Sequence, residues 1–198
     1  MTRPSELDAR AISFLTSART ATLATMAPSG RPRLVPICFI VGDDAPDGRR
    51  RLYSPLDDKP KQSNDPHDLA RVRDLLVLPE ATLLVDRWSE DWDRLGWIRL
   101  ETRAALLEPE PHEAAEHEAA VGALRAKYPQ YERHRLESRP ILRFTVLRVV
   151  TWGNLEPEPG QDDPAGGVGR PISGRGRAPR RAGGGNASSS SPGGNRRH

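Results

Sequence analysis

Cysteine, lysine and aromatic residues are all scarce in this chain of 198 residues. The single cysteine, Cys38, excludes an internal disulfide framework and suits a reducing compartment. No stretch is apolar for the length of a bilayer span, and residues 1–6 carry no apolar leader. The expected location is therefore cytoplasmic, with no membrane partner. Conventional catalytic sets are missing as well. There is no glycine-rich phosphate loop, no Cys/His pair, and no serine in a nucleophile elbow. Internal repeats are absent too.

What is present divides near Leu155. From Glu156 onward the chain is Gly, Pro, Ser, Arg and Asn with almost no aliphatic side chains. Such a segment buries too little apolar surface to offset its ordering entropy. We therefore expect one domain over 1–154 and a disordered tail over 155–198. Residues 1–154 hold 23 basic and 23 acidic side chains, while the tail holds seven arginines against four acids. The net charge of +3 thus comes from the tail and implies no nucleic-acid surface on the fold. Few arginines and no interleaved aromatics in the tail argue against nucleic acid there also.

Periodicity outlines the elements. Residues 6–17 read as a helix with Leu7, Ala11 and Leu15 on one face and Ser5 as N-cap. Residues 20–26 alternate as a strand, followed by turn chemistry at 28–30. The nearly continuous apolar run 33–41 reads as a strand buried on both faces, with Pro36 interrupting its ladder. A third strand over 51–56, a helix from 65 to 76, strands over 81–88 and 97–107, a helix over 112–127 and a strand over 141–152 complete the set. Most connections are too short for parallel crossovers. Six strands and three helices predict an antiparallel barrel or sandwich with attached helices.

Two clusters invite chemistry. Lys59 and Lys61 flank Pro60 in a turn after the third strand, two of only three lysines among 30 basic residues. Such ammonium groups suit a phosphate as point charges. Three of the four tryptophans, Trp88, Trp92 and Trp97, fall within ten residues. Trp88 and Trp97 belong to strands and are expected to pack on a core edge. Trp92 lies in an acidic loop, where its ring could cover an aromatic ligand or seal a subunit interface. His112 and His117, with Glu113 and Glu116 nearby, read as a solvated helix face, and no metal site is expected. Together with the wall around Pro36 and the hydroxyl of Ser54, the lysines suggest a site for a flat ligand with an anionic tail.

The order of these parts is fairly specific. A helix, Thr20-Ala-Thr-Leu-Ala-Thr25, a Pro-Ser-Gly-Arg-Pro turn, Arg33-Leu-Val-Pro36, Tyr53-Ser54 and Lys59-Pro-Lys61 together resemble the pyridoxamine 5′-phosphate oxidase-like split-barrel flavoproteins. The segment Asp86-Arg-Trp-Ser-Glu-Asp-Trp92 resembles a branch that uses the deazaflavin coenzyme F420. This resemblance implies a mainly β fold, a six-stranded antiparallel split β-barrel with flanking helices, and a homodimer with cofactor sites at the interface. It implies cofactor contacts from Arg33, Leu34, Val35 and Pro36, from Tyr53 and Ser54, and from a phosphate turn of Lys59, Pro60 and Lys61. Asp58 departs from the family's neutral donor there. No match for the substrate-binding Arg and Trp of true pyridoxine-phosphate oxidases can be placed. The implied activity is hydride transfer between coenzyme F420 and a small planar or conjugated substrate, with no side chain as catalytic acid or base. FMN is the alternative cofactor, and a non-catalytic cofactor carrier the alternative role.

Overall fold

Asp8 caps the first helix in the computed structural model, which describes residues 7–56 and 65–156. Its carboxylate accepts from the Ala11 N–H at 2.8 Å, satisfying one of the free donors of helix α1, Ala9–Ser17. Ala11, Phe14 and Leu15 share its buried face. Ser5, the expected cap, lies outside the described residues.

The strands are β1 Ala21–Met26, β2 Pro32–Ile37, β3 Ile40–Asp44, β4 Arg50–Pro55, β5 Glu80–Arg87, β6 Gly96–Leu107 and β7 Ile141–Gly153. All seven join one antiparallel sheet in the order β2-β1-β5-β6-β7-β4-β3. The fold is mainly β, as expected, but with one strand more than the six anticipated. The extra strand comes from the run 33–41, which breaks at Cys38 and Phe39 instead of continuing. Its first half, β2, is an edge strand paired only with β1, and most of its side chains are exposed. The expectation of a strand buried on both faces is thus overturned. Pro36 lacks a donor, and an edge strand tolerates that because one side of its ladder is open. The second half, β3, crosses to the opposite border of the sheet and pairs with β4.

Tyr128 explains the break. Its hydroxyl accepts the Phe39 N–H at 3.1 Å and lies 2.7 Å from the Phe39 carbonyl and 2.9 Å from that of Arg19. A side chain thus serves backbone groups that a neighbouring strand would otherwise pair.

Because β2 and β3 are consecutive in the chain yet occupy opposite borders, the sheet curls on itself. Ile37, Leu23, Leu83, Leu100, Phe144 and Leu52, from six different strands, meet in one buried cluster. Burying each such side chain contributes roughly 1.5–3 kcal/mol. Helix α2, Ala70–Val77, adds Val72 and Leu75 to this core. Helix α3, Ala114–Lys127, packs through His117, Ala120, Val121 and Leu124 at helical spacing. The last three join a second cluster with Ile40, Tyr53 and Tyr128. At the far end, Gly153 adopts φ 75° where its backbone meets Leu95, and a Cβ there would collide with the Leu95 carbonyl. Leu155 still packs into the main core, and the Glu156 carbonyl accepts from Arg87 at 2.6 Å, two residues past the expected end of the domain. No helix among the described residues is long and apolar enough to cross a membrane.

Candidate functional site

Register places Arg33 opposite Thr25 across the β1–β2 ladder, and both reach the same atom. Arg33 Nε and Thr25 Oγ1 donate to Asp74 Oδ2 of α2, at 2.8 Å and 2.9 Å. Asp74 is only 2% exposed, so these two donors replace the water it has lost. Arg33 therefore ties the edge strand to α2, while part of its guanidinium stays open to solvent.

The next three residues divide between two faces, as strand geometry requires. Val35 packs against the core, whereas Leu34 and Pro36 are exposed. Val35 and Pro36 therefore do not form a single wall. The outward strip consists of Leu34, 64% exposed, and Pro36.

On β4, Tyr53 and Ser54 are both buried. The Tyr53 hydroxyl donates to Glu116 Oε1 of α3 at 2.6 Å. Burial, reinforced by the Glu116 carboxylate, pushes this phenol up to about 12. Glu116 Oε1 also accepts from Arg51 at 2.9 Å, and its other oxygen accepts from Arg143 at 2.9 Å. Arg143 reaches Glu113 as well, at 3.1 Å. These groups line or adjoin a cleft of about 470 Å³ between β3 and α3, with Ile40, Val41 and Ala119 along its apolar side.

Trp92 begins a short 3-10 turn, Trp92–Arg94, in the β5–β6 hairpin and is 78% exposed. Trp88 follows the end of β5 and is also mostly exposed, contrary to the expected core packing. Trp97 is half-buried and stacks on Trp152, with ring centroids 6.4 Å apart. Lys59, Pro60 and Lys61 lie outside the described residues. Tyr53 lines the β3–α3 cleft, and no other sequence-predicted site residue among those described does so.

Sequence reasoning missed part of this arrangement. Glu113 and Glu116 were read as a solvated face, yet they anchor arginines from β4 and β7. His117 is buried, with Nε2 2.8 Å from the Arg139 carbonyl. No cluster of three or more potential metal ligands occurs among the described residues. The buried helix face at 117, 120, 121 and 124 carried the available signal, since its spacing puts 113 and 116 beside it.

A second cavity, of about 440 Å³, opens on the outer face of the sheet between Ala24, Met26, Pro32, Leu78 and Leu147. The antiparallel sheet thus curls around the main core, with three helices beside it and an apolar outer face left open. The profile for pyridoxamine 5′-phosphate oxidase matches residues 7–153. The chain belongs to the pyridoxamine 5′-phosphate oxidase family.

Solved structures agree on the fold. A conserved hypothetical protein of Mycobacterium tuberculosis superposes with a TM-score of 0.53 at 21% identity, covering 77% of this chain and 89% of its own. A Listeria innocua protein, provisionally described as a pyridoxamine 5′-phosphate oxidase, gives 0.51 at 13% identity, covering 75% of this chain and all of its own. At these identities the likeness shows the fold alone. No curated protein matches the chain. Within this family fold, Arg33 and Leu34 occupy one border of the sheet and Tyr53 and Ser54 the strand beside the other.

Proposed function

We propose that the protein is a coenzyme F420-dependent oxidoreductase, working as a homodimer on a small planar or conjugated substrate. The observation that carries this reading is the open strip of β2, where Leu34 and Pro36 face outward from an edge strand. A tricyclic ring laid against such a strip would lose water on one face and keep the other for substrate. The same strip and the lysines that follow Tyr53-Ser54 in sequence fit the ring and phosphate of a deazaflavin. They also fit FMN, which membership of this family makes the alternative cofactor.

The bound coenzyme would supply the hydride chemistry. The chain's own residues would position it. Lys59 and Lys61 would hold the phosphate, Leu34 and Pro36 would exclude water from one ring face, and Trp92 of a second copy would cover the substrate. Tyr53 does not act as a base near neutral pH, because its phenol holds its proton up to about 12. Alignment would provide most of the rate enhancement. Met26, Leu84, Leu147 and Trp152 are exposed apolar residues on the outer face, an area that a second copy would cover.

Titrating the purified apo-protein with coenzyme F420 and FMN in parallel tests the cofactor. Tighter binding of F420, with hydride transfer to an enone or quinone acceptor, is the expected outcome. Tighter FMN binding selects the alternative cofactor, and stoichiometric binding without turnover reduces the role to a carrier. Lys59→Ala/Lys61→Ala should weaken cofactor binding at least tenfold, since each charge-assisted contact contributes about 1.5–3 kcal/mol. Unchanged affinity in that variant rejects the phosphate grip.

A further inference from the structure

Lys127 is the single lysine among the described residues, and its Nζ is buried with no hydrogen-bond partner among them. It ends α3 and lies over aromatic rings, 4.5 Å from the Phe39 centroid and 5.6 Å from that of Tyr128. Arg19, in the turn between α1 and β1, stands over the same Tyr128 ring at 4.6 Å. The ionisable groups that act on Lys127 are Arg19 and Cys38, with no carboxylate among them. Two positive charges thus converge at the β2–β3 corner, and no salt bridge among the described residues answers either of them.

Physical cost makes this unusual. An ammonium taken out of water without a partner loses several kcal/mol, and ring faces return only about 1–2 kcal/mol. Acids drawn from water elsewhere in this fold are answered, buried Asp74 by Arg33 and Thr25, and half-buried Glu116 by Arg51, Arg143 and Tyr53. The chain also uses arginine for 27 of its 30 basic residues, so a lysine here is a departure from its habit. A compact ammonium on a flexible stem can swing to meet a single oxygen, which a rigid guanidinium fork cannot.

The geometry points to an anion site at this corner, where Lys127 Nζ takes a carboxylate or phosphate oxygen of a small ligand and Arg19 strengthens the local positive potential. Arg19 is exposed and Cys38 half-buried beside the buried Lys127 Nζ. Burial, and then Arg19, pushes Lys127 down to about 8. A bound anion favours the charged form and must raise that value by linkage. Cys38 also acts on Lys127, and its sulfur is the rival partner. The site does not depend on which coenzyme the protein takes.

Three lysines make the test direct. In the full chain carrying 13C,15N-lysine, each lysine reports its own site, and Lys127→Met identifies the resonance at the corner. If that variant does not fold, Lys59→Arg and Lys61→Arg assign it by elimination. Titrated in chloride and then in inorganic phosphate or acetate at matched ionic strength, Lys127 should shift upward by about one pKa unit, a tenfold preference for the charged form. The anion giving the larger shift names the ligand class. Arg19→Gln should weaken that response several-fold, and Cys38→Ala should preserve it. A Lys127 titration indifferent to both anions overturns the site. Indifference combined with a shift on Cys38→Ala identifies the Cys38 sulfur as the partner instead.

Discussion

A buried carboxylate is costly to strand, and Asp74 shows how the edge strand is held at the scale of single residues. Replacing Arg33 by Ala leaves Asp74 with Thr25 alone. The expected loss is about 1–3 kcal/mol, read by urea denaturation, with the half-open arginine keeping it at the lower end. A joint Arg33→Leu/Asp74→Leu variant should recover most of it, since removing both partners leaves nothing unsatisfied. A single Arg33→Ala as stable as the parent would show that the pair contributes nothing. None of this was visible in sequence. Arg33 and Asp74 are 41 positions apart, as Tyr53 and Glu116 are 63, and no local period links them. The cofactor contact expected of Arg33 came from the family resemblance of its strand, and the resemblance carries no sign of the internal tie to Asp74.

Among elements, legibility follows periodicity. The strand expected at 97–107 is Gly96–Leu107, and that at 141–152 is Ile141–Gly153, because alternation marks a half-buried ladder. The run 33–41 carried no alternation, so its break depended on Tyr128, 89 positions after Phe39. A pH-dependent contact also belongs at this scale. His67 Nδ1 lies 2.8 Å from Asp65 and Nε2 lies 2.9 Å from Glu108, fastening the segment before α2 to the end of β6. Hydrogen bonds to Glu108, then to Asp65, raise the imidazole above its usual 6.5. The folded value lies above the unfolded one, so the stabilisation is complete below about pH 6.5 and fades as pH rises through the raised value. Hydrogen bonds from His67 lower Asp65, so its own contribution persists well into the acid range. His67→Ala should therefore lower the melting temperature at about pH 5.5 and match the parent near pH 9. An equal gap at both values would assign the loss to packing.

At the scale of the whole molecule, the apolar outer face predicts association. Leu84→Asp, placed mid-face on β5, should shift the protein from dimer to monomer in sedimentation at unchanged circular dichroism. If Trp92 covers the partner's substrate, that monomer should also turn over slowly. A parent that sediments as a monomer would reject the shared site. The proposed site takes parts from two copies, and one chain by itself would not bring such parts together. The Tyr128-bound corner carries one more consequence. Residues 32–44 furnish both outer borders of the sheet, so adding or deleting one residue at Cys38–Phe39 would misalign two seams at once. This short bend, outwardly a two-residue loop, should tolerate changes of length worse than any hairpin in the protein.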